Sequence, residues 1–501
     1  MTYPPPAGSA APPEHQTAPA FPAQAAPDGP LVPQPGSAGG GPPAPPPPAT
    51  PPARRSAFAE GLDKLRGAAT TEPGRLRIIG AVLAVLVVLF GALTAWQVSD
   101  RSAAADDVIN RSQPLSADAA DIYRSLAGAN TTAASGFLEG GQEPPQVRAR
   151  YDADIKQASK LLVKAAANSQ GAGESQKQIE KLNQALPVYT SLVETARANN
   201  RQGLPLGGAY LRYADEQMRE TLLPAAQQLY LSETGQLEED YSDAKSWPWA
   251  ALVSGLLALG VLFWAQRRHY RRTNRVFNHG LVAASAATVI VLLWLAVGHT
   301  FARSGLGDSD RHGAQSMHAL NEARINTLRA RADENLTYVN RGSVTTEEGV
   351  DKYEDSYVKG MNKLAGKDPA AEAAPGGSML GRAMELADDD AGREPIAKAM
   401  NNVREWRKMH GEAQDKNVAG DYEAAKDMVL GGDEEESTSE FFDAVDDSLK
   451  VALDHERQEF TSAAEDGRGA LSGLWIGGAV LGVLGAAGAV FGIGRRLSEY
   501  R

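Results

Sequence analysis

WAALVSGLLALGVLFWAQRRHYRRTNRVFNHGLVAASAATVIVLLWLAVGHTF, residues 249–301, sets two uncharged apolar runs on either side of a basic hinge. A helix rises 1.5 Å per residue, so roughly 17–25 apolar residues cross a bilayer core of about 30 Å. Trp249–Gln266 and Leu281–Phe301 reach that length, and so do two more runs, Ile78–Val98 and Leu471–Ile493. None of the four contains Asp, Glu, Lys or Arg. Trp96, Trp249, Trp264 and Trp475 stand near run ends, where an amphipathic ring suits the headgroup layer. A buried core helix explains one such run but not four. The chain reads as an all-α membrane protein with four transmembrane helices.

The hinge carries Arg267, Arg268, Arg271, Arg272 and Arg275. Short loops rich in Lys and Arg stay in the cytoplasm. Arg54, Arg55, Lys64, Arg66, Arg75 and Arg77 precede the first run, while Arg495, Arg496 and Arg501 follow the last. With four spans, these three basic regions fall on one side. The spacing therefore predicts a cytoplasmic tail (1–74), basic loop (267–280) and end (494–501). Segments 99–248 and 302–470 are predicted to lie outside. The first apolar run begins only at Ile78, so it is expected to stay as an anchor rather than be cleaved as a leader. A net charge of −12 argues against a nucleic-acid partner. The arginines read first as a topology anchor and second as an output surface.

With no cysteine, the exported segments must be held by packing alone. The Pro, Ala and Gly tail buries too little apolar area to offset its ordering entropy and is expected to be disordered. Segment 302–470 holds 36 acidic against 21 basic residues, which makes it the source of the negative charge.

Both exported segments carry helical stripes. Ile122, Leu126, Ala129, Ala133 and Phe137 line one face in the first; Ile325, Leu328, Ala332, Leu336 and Val339 do so in the second. An offset of 202 pairs Leu126 with Leu328, Gly140 with Gly342, Tyr151 with Tyr353 and Leu162 with Leu364. An offset of 217 pairs Ile179 with Ile396, Lys181 with Lys398, Asn200 with Asn417 and Gly203 with Gly420. The segments read as an internal duplication of an antiparallel four-helix bundle, with an insertion within 367–395 of the second copy. Pro224 is expected to kink the last helix of the first. Membrane-distal loops, NNRQGLPLGG (199–208) and the inserted segment, are where the copies differ and where a partner is expected to dock. In the last span, Gly473/Gly477, Gly478/Gly482 and Gly488/Gly492 repeat at four-residue spacing, which lets helices approach closely.

No motif in the sequence carries catalytic or metal chemistry. No Walker loop, nucleophile elbow, kinase set or dinucleotide-binding glycines appear, so no catalytic residue, cofactor or enzyme activity is expected. His312 and His318 are six apart with no carboxylate placed to complete a site. DDDAGRE (388–394) and GDEEESTSE (432–440) lack the periodicity of a calcium loop and read as solvated acids, so no metal site is expected.

VFNHGLVAASAATVIVLLWLAVGHTFARS (276–304), followed by ARINTLRARADENLTYVNRG (323–342), resembles the GlnX-type membrane proteins of actinobacteria over roughly residues 75–495. That resemblance implies a signal relay: a glutamine-binding solute-binding lipoprotein outside reports amino-acid availability, and a soluble serine/threonine protein kinase receives it inside. The bilayer is the remaining partner, with room for a homo-oligomer. Two other readings stay open: a direct small-molecule receptor with ligand inside a bundle, and a scaffold protein of the envelope.

Overall fold

The computed structural model describes residues 70–141, 143–168, 173–273, 278–371, 373–431 and 436–497, all within one unit, Asp63–Arg501. The tail expected to be disordered lies outside them except for its last five positions. Among the described residues the regular structure is helical, apart from one isolated antiparallel bridge between Thr345 and Asp351. Four helices are long and apolar enough to cross a membrane, which makes this a multi-pass all-α membrane protein. Val85, Phe263, Leu293 and Phe491 are among the large apolar side chains left exposed along them, as a lipid-facing surface requires.

The first half starts with α1 (Glu72–Asp107), α2 (Gln113–Leu138) and α3 (Pro145–Asn168). It continues through α4 (Gly173–Arg201), α5 (Leu206–Gln217), α6 (Leu223–Lys245) and the span α7 (Trp249–Thr273). The second half begins with α8 (His279–Asp308), α9 (Gln315–Asn340) and α10 (Lys352–Ala365). Then come α11 (Met379–Leu386), α12 (Asp390–Val418), α13 (Tyr422–Leu430), α14 (Thr438–Leu471) and the span α15 (Leu474–Leu497). Three short π-helical segments, Val108–Ser112, Met218–Leu222 and Ser309–Ala314, join α1 to α2, α5 to α6 and α8 to α9. Two spans therefore run unbroken into a bundle, Gly74–Leu138 over 65 residues and His279–Asn340 over 62. Each is about 95 Å long at the helical rise.

The ends of these elements repeat. α2 stops at Leu138 and α9 at Asn340, each followed by a glycine at positive φ, Gly140 and Gly342. α4 and α12 start at Gly173 and Asp390 and stop at Arg201 and Val418, before Gly203 and Gly420, also at positive φ. Those are the same offsets of 202 and 217 that pair the side chains. Such glycines end helices because only a residue without Cβ takes that turn without strain.

Each half closes a four-helix bundle: α2, α3, α4 and α5–α6 in the first, α9, α10, α12 and α14 in the second. The bundles are joined to each other, because α2 packs along α9 and a single buried core takes residues from both. From Ser125 to Ala134 every residue of α2 is buried. Those residues, SLAGANTTAA, are mostly small, which lets three neighbouring helices close around α2.

The inserted segment departs from its expected place. α9 runs away from the spans and α10 returns, so the connection to α12 lies at the span-proximal end. There the His312 Nδ1 lies 3.2 Å from the Leu386 carbonyl oxygen. Of the two, NNRQGLPLGG alone occupies the distal end.

Candidate functional site

Pro224 produces a widened turn in place of the expected kink. Proline lacks an N–H, and its ring collides with the carbonyl four residues back. Pro114 and Pro224 each stand two residues past a π segment. The N–H groups of Gln113 and Leu223 there donate to the Val108 and Met218 carbonyls, five residues back. The wider turn makes room for the ring without breaking the rod. Such segments mark functional places in helices.

Beside two of these segments, both halves grip the break between α6 and α7. Arg101 of α1 donates to the Ser246 carbonyl at 2.7 Å and the Trp247 carbonyl at 3.1 Å. Arg303 of α8 donates to the Lys245 carbonyl at 2.8 Å. The two arginines are themselves 202 residues apart. Tyr241 lies 2.6 Å from the Ser309 hydroxyl, which in turn donates to the Phe460 carbonyl at 3.1 Å. Lys245 pairs with Asp310 at 2.6 Å.

Next to this grip a cavity of about 450 Å³ opens between the halves. Tyr230 and Glu238 of α6, His318 and Asn321 of α9, Arg382 of α11 and Arg457 of α14 line it. The Tyr230 and His318 rings stack at 5.1 Å, with the Tyr230 hydroxyl 2.7 Å from the His318 Nδ1. Burial raises the Tyr230 pKa and lowers that of His318. Burial thus favours the neutral form of both rings. The lining holds both arginine (Arg382, Arg457) and carboxylate (Glu238, Asp310), the two charges a small zwitterion needs.

Farther from the spans the halves are tied by buried polar groups. Arg219 is held by Asp215 at 2.8 Å and reaches Asp333 of the other half. Burial pushes Asp333 up to about 6 despite Arg219. The Thr131 hydroxyl donates to the Leu328 carbonyl at 2.7 Å, and the Asn335 amide donates to the Ser135 hydroxyl at 2.7 Å.

The arginines of the hinge sit mainly on a helix, since α7 continues to Thr273. Arg267 and Arg271 are exposed, and Arg268 lies 5.4 Å from the Trp264 ring. Arg272 is in the last turn, and Arg275 lies outside the described residues. In the last span Gly478 faces Thr94 and Gly477 faces Trp294. A Cβ on Gly482 would stand 2.9 Å from the Gly91 Cα, and one on Gly492 would stand 2.9 Å from the Gly280 Cα. Gly488 meets the Gly280 carbonyl at 3.1 Å in the same sense. Gly473 faces open space; its φ of 75° makes it the turn between α14 and α15.

Residues 104–242 match the family model of the actinobacterial sensor domain. That match spans the first bundle from the end of α1 to the end of α6, and it fits an actinobacterial sensor protein. No curated protein and no solved structure matches the chain. The matched segment contributes Tyr230 and Glu238 to the cavity, while His318, Arg382 and Arg457 come from the other half.

Proposed function

We propose that this protein is a transmembrane sensor that relays amino-acid availability outside the cell to a cytoplasmic serine/threonine kinase, without catalysis of its own. The observation that carries the reading is mechanical. Two spans run unbroken into α2 and α9, and those helices pack on each other at the centre of the bundles. Any event that shifts one half against the other must move the spans. In this reading the bundles lie outside, a solute-binding lipoprotein docks on them, and the exposed Arg267 and Arg271 present guanidinium groups to a carboxylate or phosphate on the kinase. Deleting the chain should abolish the change in phosphorylation of kinase substrates that follows amino-acid addition. An unchanged response would remove the relay.

The cavity favours a second reading, in which the ligand binds this chain directly. Calorimetry with glutamine and glutamate on the purified protein, without any lipoprotein, separates the two. Heat of binding that is lost in Arg382→Gln and Tyr230→Phe supports direct sensing. Binding only in the presence of the lipoprotein supports the relay through a partner.

A further inference from the structure

Asp389, His455 and Glu459 are placed as metal ligands are. Their ligand atoms all lie within 4.8 Å of one another. His455 Nε2 is 3.1 Å from Asp389 Oδ1 and 3.5 Å from Glu459 Oε1. A tetrahedral ion with bonds of about 2.0 Å needs ligand edges of about 3.3 Å, between those two values. All three side chains are partly exposed, which leaves a route in from solvent. They come from two places: Asp389 caps the start of α12 at the end of the inserted segment, and the other two lie one turn apart on α14.

An independent observation lies beneath them. Glu456 of α14 is fully buried, and neither of its carboxylate oxygens is hydrogen-bonded. The Ser316 hydroxyl lies alongside, outside normal hydrogen-bond geometry yet close enough to favour the carboxylate. A Cβ on Gly392 would stand 2.9 Å from Glu456 Oε1 and 3.5 Å from Asp389 Oδ1, so both oxygens converge on the first turn of α12. Glu459, Asp388 and Asp389 add like charge around Glu456. A buried carboxylate with three acidic neighbours is costly as an anion, and either keeping its proton or facing a cation removes that cost.

We infer that Asp389, His455 and Glu459 bind a divalent transition-metal ion, with the buried Glu456 carboxylate as a third negative charge beneath the site. One imidazole with carboxylates suits Zn²⁺ better than Ca²⁺ or Mg²⁺, which take oxygen alone. The ion would fasten the inserted segment to α14, the helix that leads into the last span, and would brace the Ser309–Ala314 turn through His312 and Leu386.

The test uses full-length protein in lipid nanodiscs, stripped with chelator and titrated separately with Zn²⁺, Ca²⁺ and Mg²⁺. One Zn²⁺ per chain is expected, with a rise in melting temperature and little response to the other two ions. His455→Ala and Glu459→Gln should each weaken binding at least about tenfold. Asp389→Asn should do the same while keeping the helix cap, because Asn caps as well as Asp. Glu456→Gln should also weaken binding, and circular dichroism of each variant checks the fold. No uptake by folded protein, or uptake untouched by His455→Ala and Asp389→Asn, would overturn the inference.

Discussion

His410 shows what a single buried residue does here. It lies on the inner face of α12 between Glu334 and Glu354, with its Nδ1 3.0 Å from Glu334 and its Nε2 3.1 Å from Glu354. Burial alone would lower its pKa, but the two hydrogen bonds outweigh it and lift the group to about 9. Glu334, fully buried, also takes Arg331 at 2.5 Å and the Trp406 N–H at 3.1 Å. The folded pKa is above the unfolded value of about 6.5, so the stabilisation is complete below about pH 6.5 and fades as pH rises through about 9. Its size is about 3 kcal/mol at most. Thermal melts of full-length protein should show stability falling between pH 6.5 and 9, and His410→Gln should be less stable at pH 6 with a flatter profile. An equal slope in the variant would remove His410 from the account. Val403, Trp406, His410 and Ala413 step by three and four residues and are all buried, so its burial follows from the spacing. Its partners, on α9 and α10, were not, because periodicity reports which face is buried and not what covers it. For the same reason the Asp389, His455 and Glu459 cluster escaped the reading of DDDAGRE as solvated acids: its ligands stand 66 residues apart in the chain.

Among elements, the span contacts and the widened turns carry the mechanics. The four-residue spacing of glycines in α15 made that helix legible as a packing surface. The opposing glycines, Gly91 on α1 and Gly280 on α8, were not visible without the fold. Gly482→Val would set two methyl groups against the Gly91 backbone, while a Cβ on Gly494 meets nothing within 4 Å. Gly482→Val should therefore lose about 1–3 kcal/mol, read as a lower melting temperature in nanodiscs, with Gly494→Ala unchanged. Equal melting of both variants would deny the close approach. Pro224 was legible as a disturbance but not as its remedy, since proline chemistry tells that a normal turn fails and not how the chain relieves it. The pairing of Pro114 and Pro224 two residues beyond a π segment suggests that these turns are built in as places where the rod can change register.

At the scale of the whole molecule, spans, bundles and duplication follow from hydropathy and period, and the structure repeats the helix ends at the offsets found between side chains. The docking of the halves was not legible. A small-residue stretch such as SLAGANTTAA is buried on every side, and its sequence cannot distinguish a neighbour in its own bundle from one 200 residues away. Orientation is directly testable, because the chain has no native cysteine. Val163→Cys and Val418→Cys, at sites 70% and 86% exposed, should react with an impermeant thiol reagent on spheroplasts. Tyr270→Cys, 48% exposed at the basic end of α7, should not. Labelling at position 270 alone would invert the topology.

The central claim is that α2 and α9 must shift against each other for a signal to pass. Ser135 and Asn335 already touch across that contact, at 2.7 Å, and the chain contains no other thiol to compete. Ser135→Cys with Asn335→Cys should form a disulfide under mild oxidation that locks the halves. With cross-linking complete, the phosphorylation response to amino-acid addition should be lost, and reductant should restore it. A full response from the fully cross-linked protein would contradict the account.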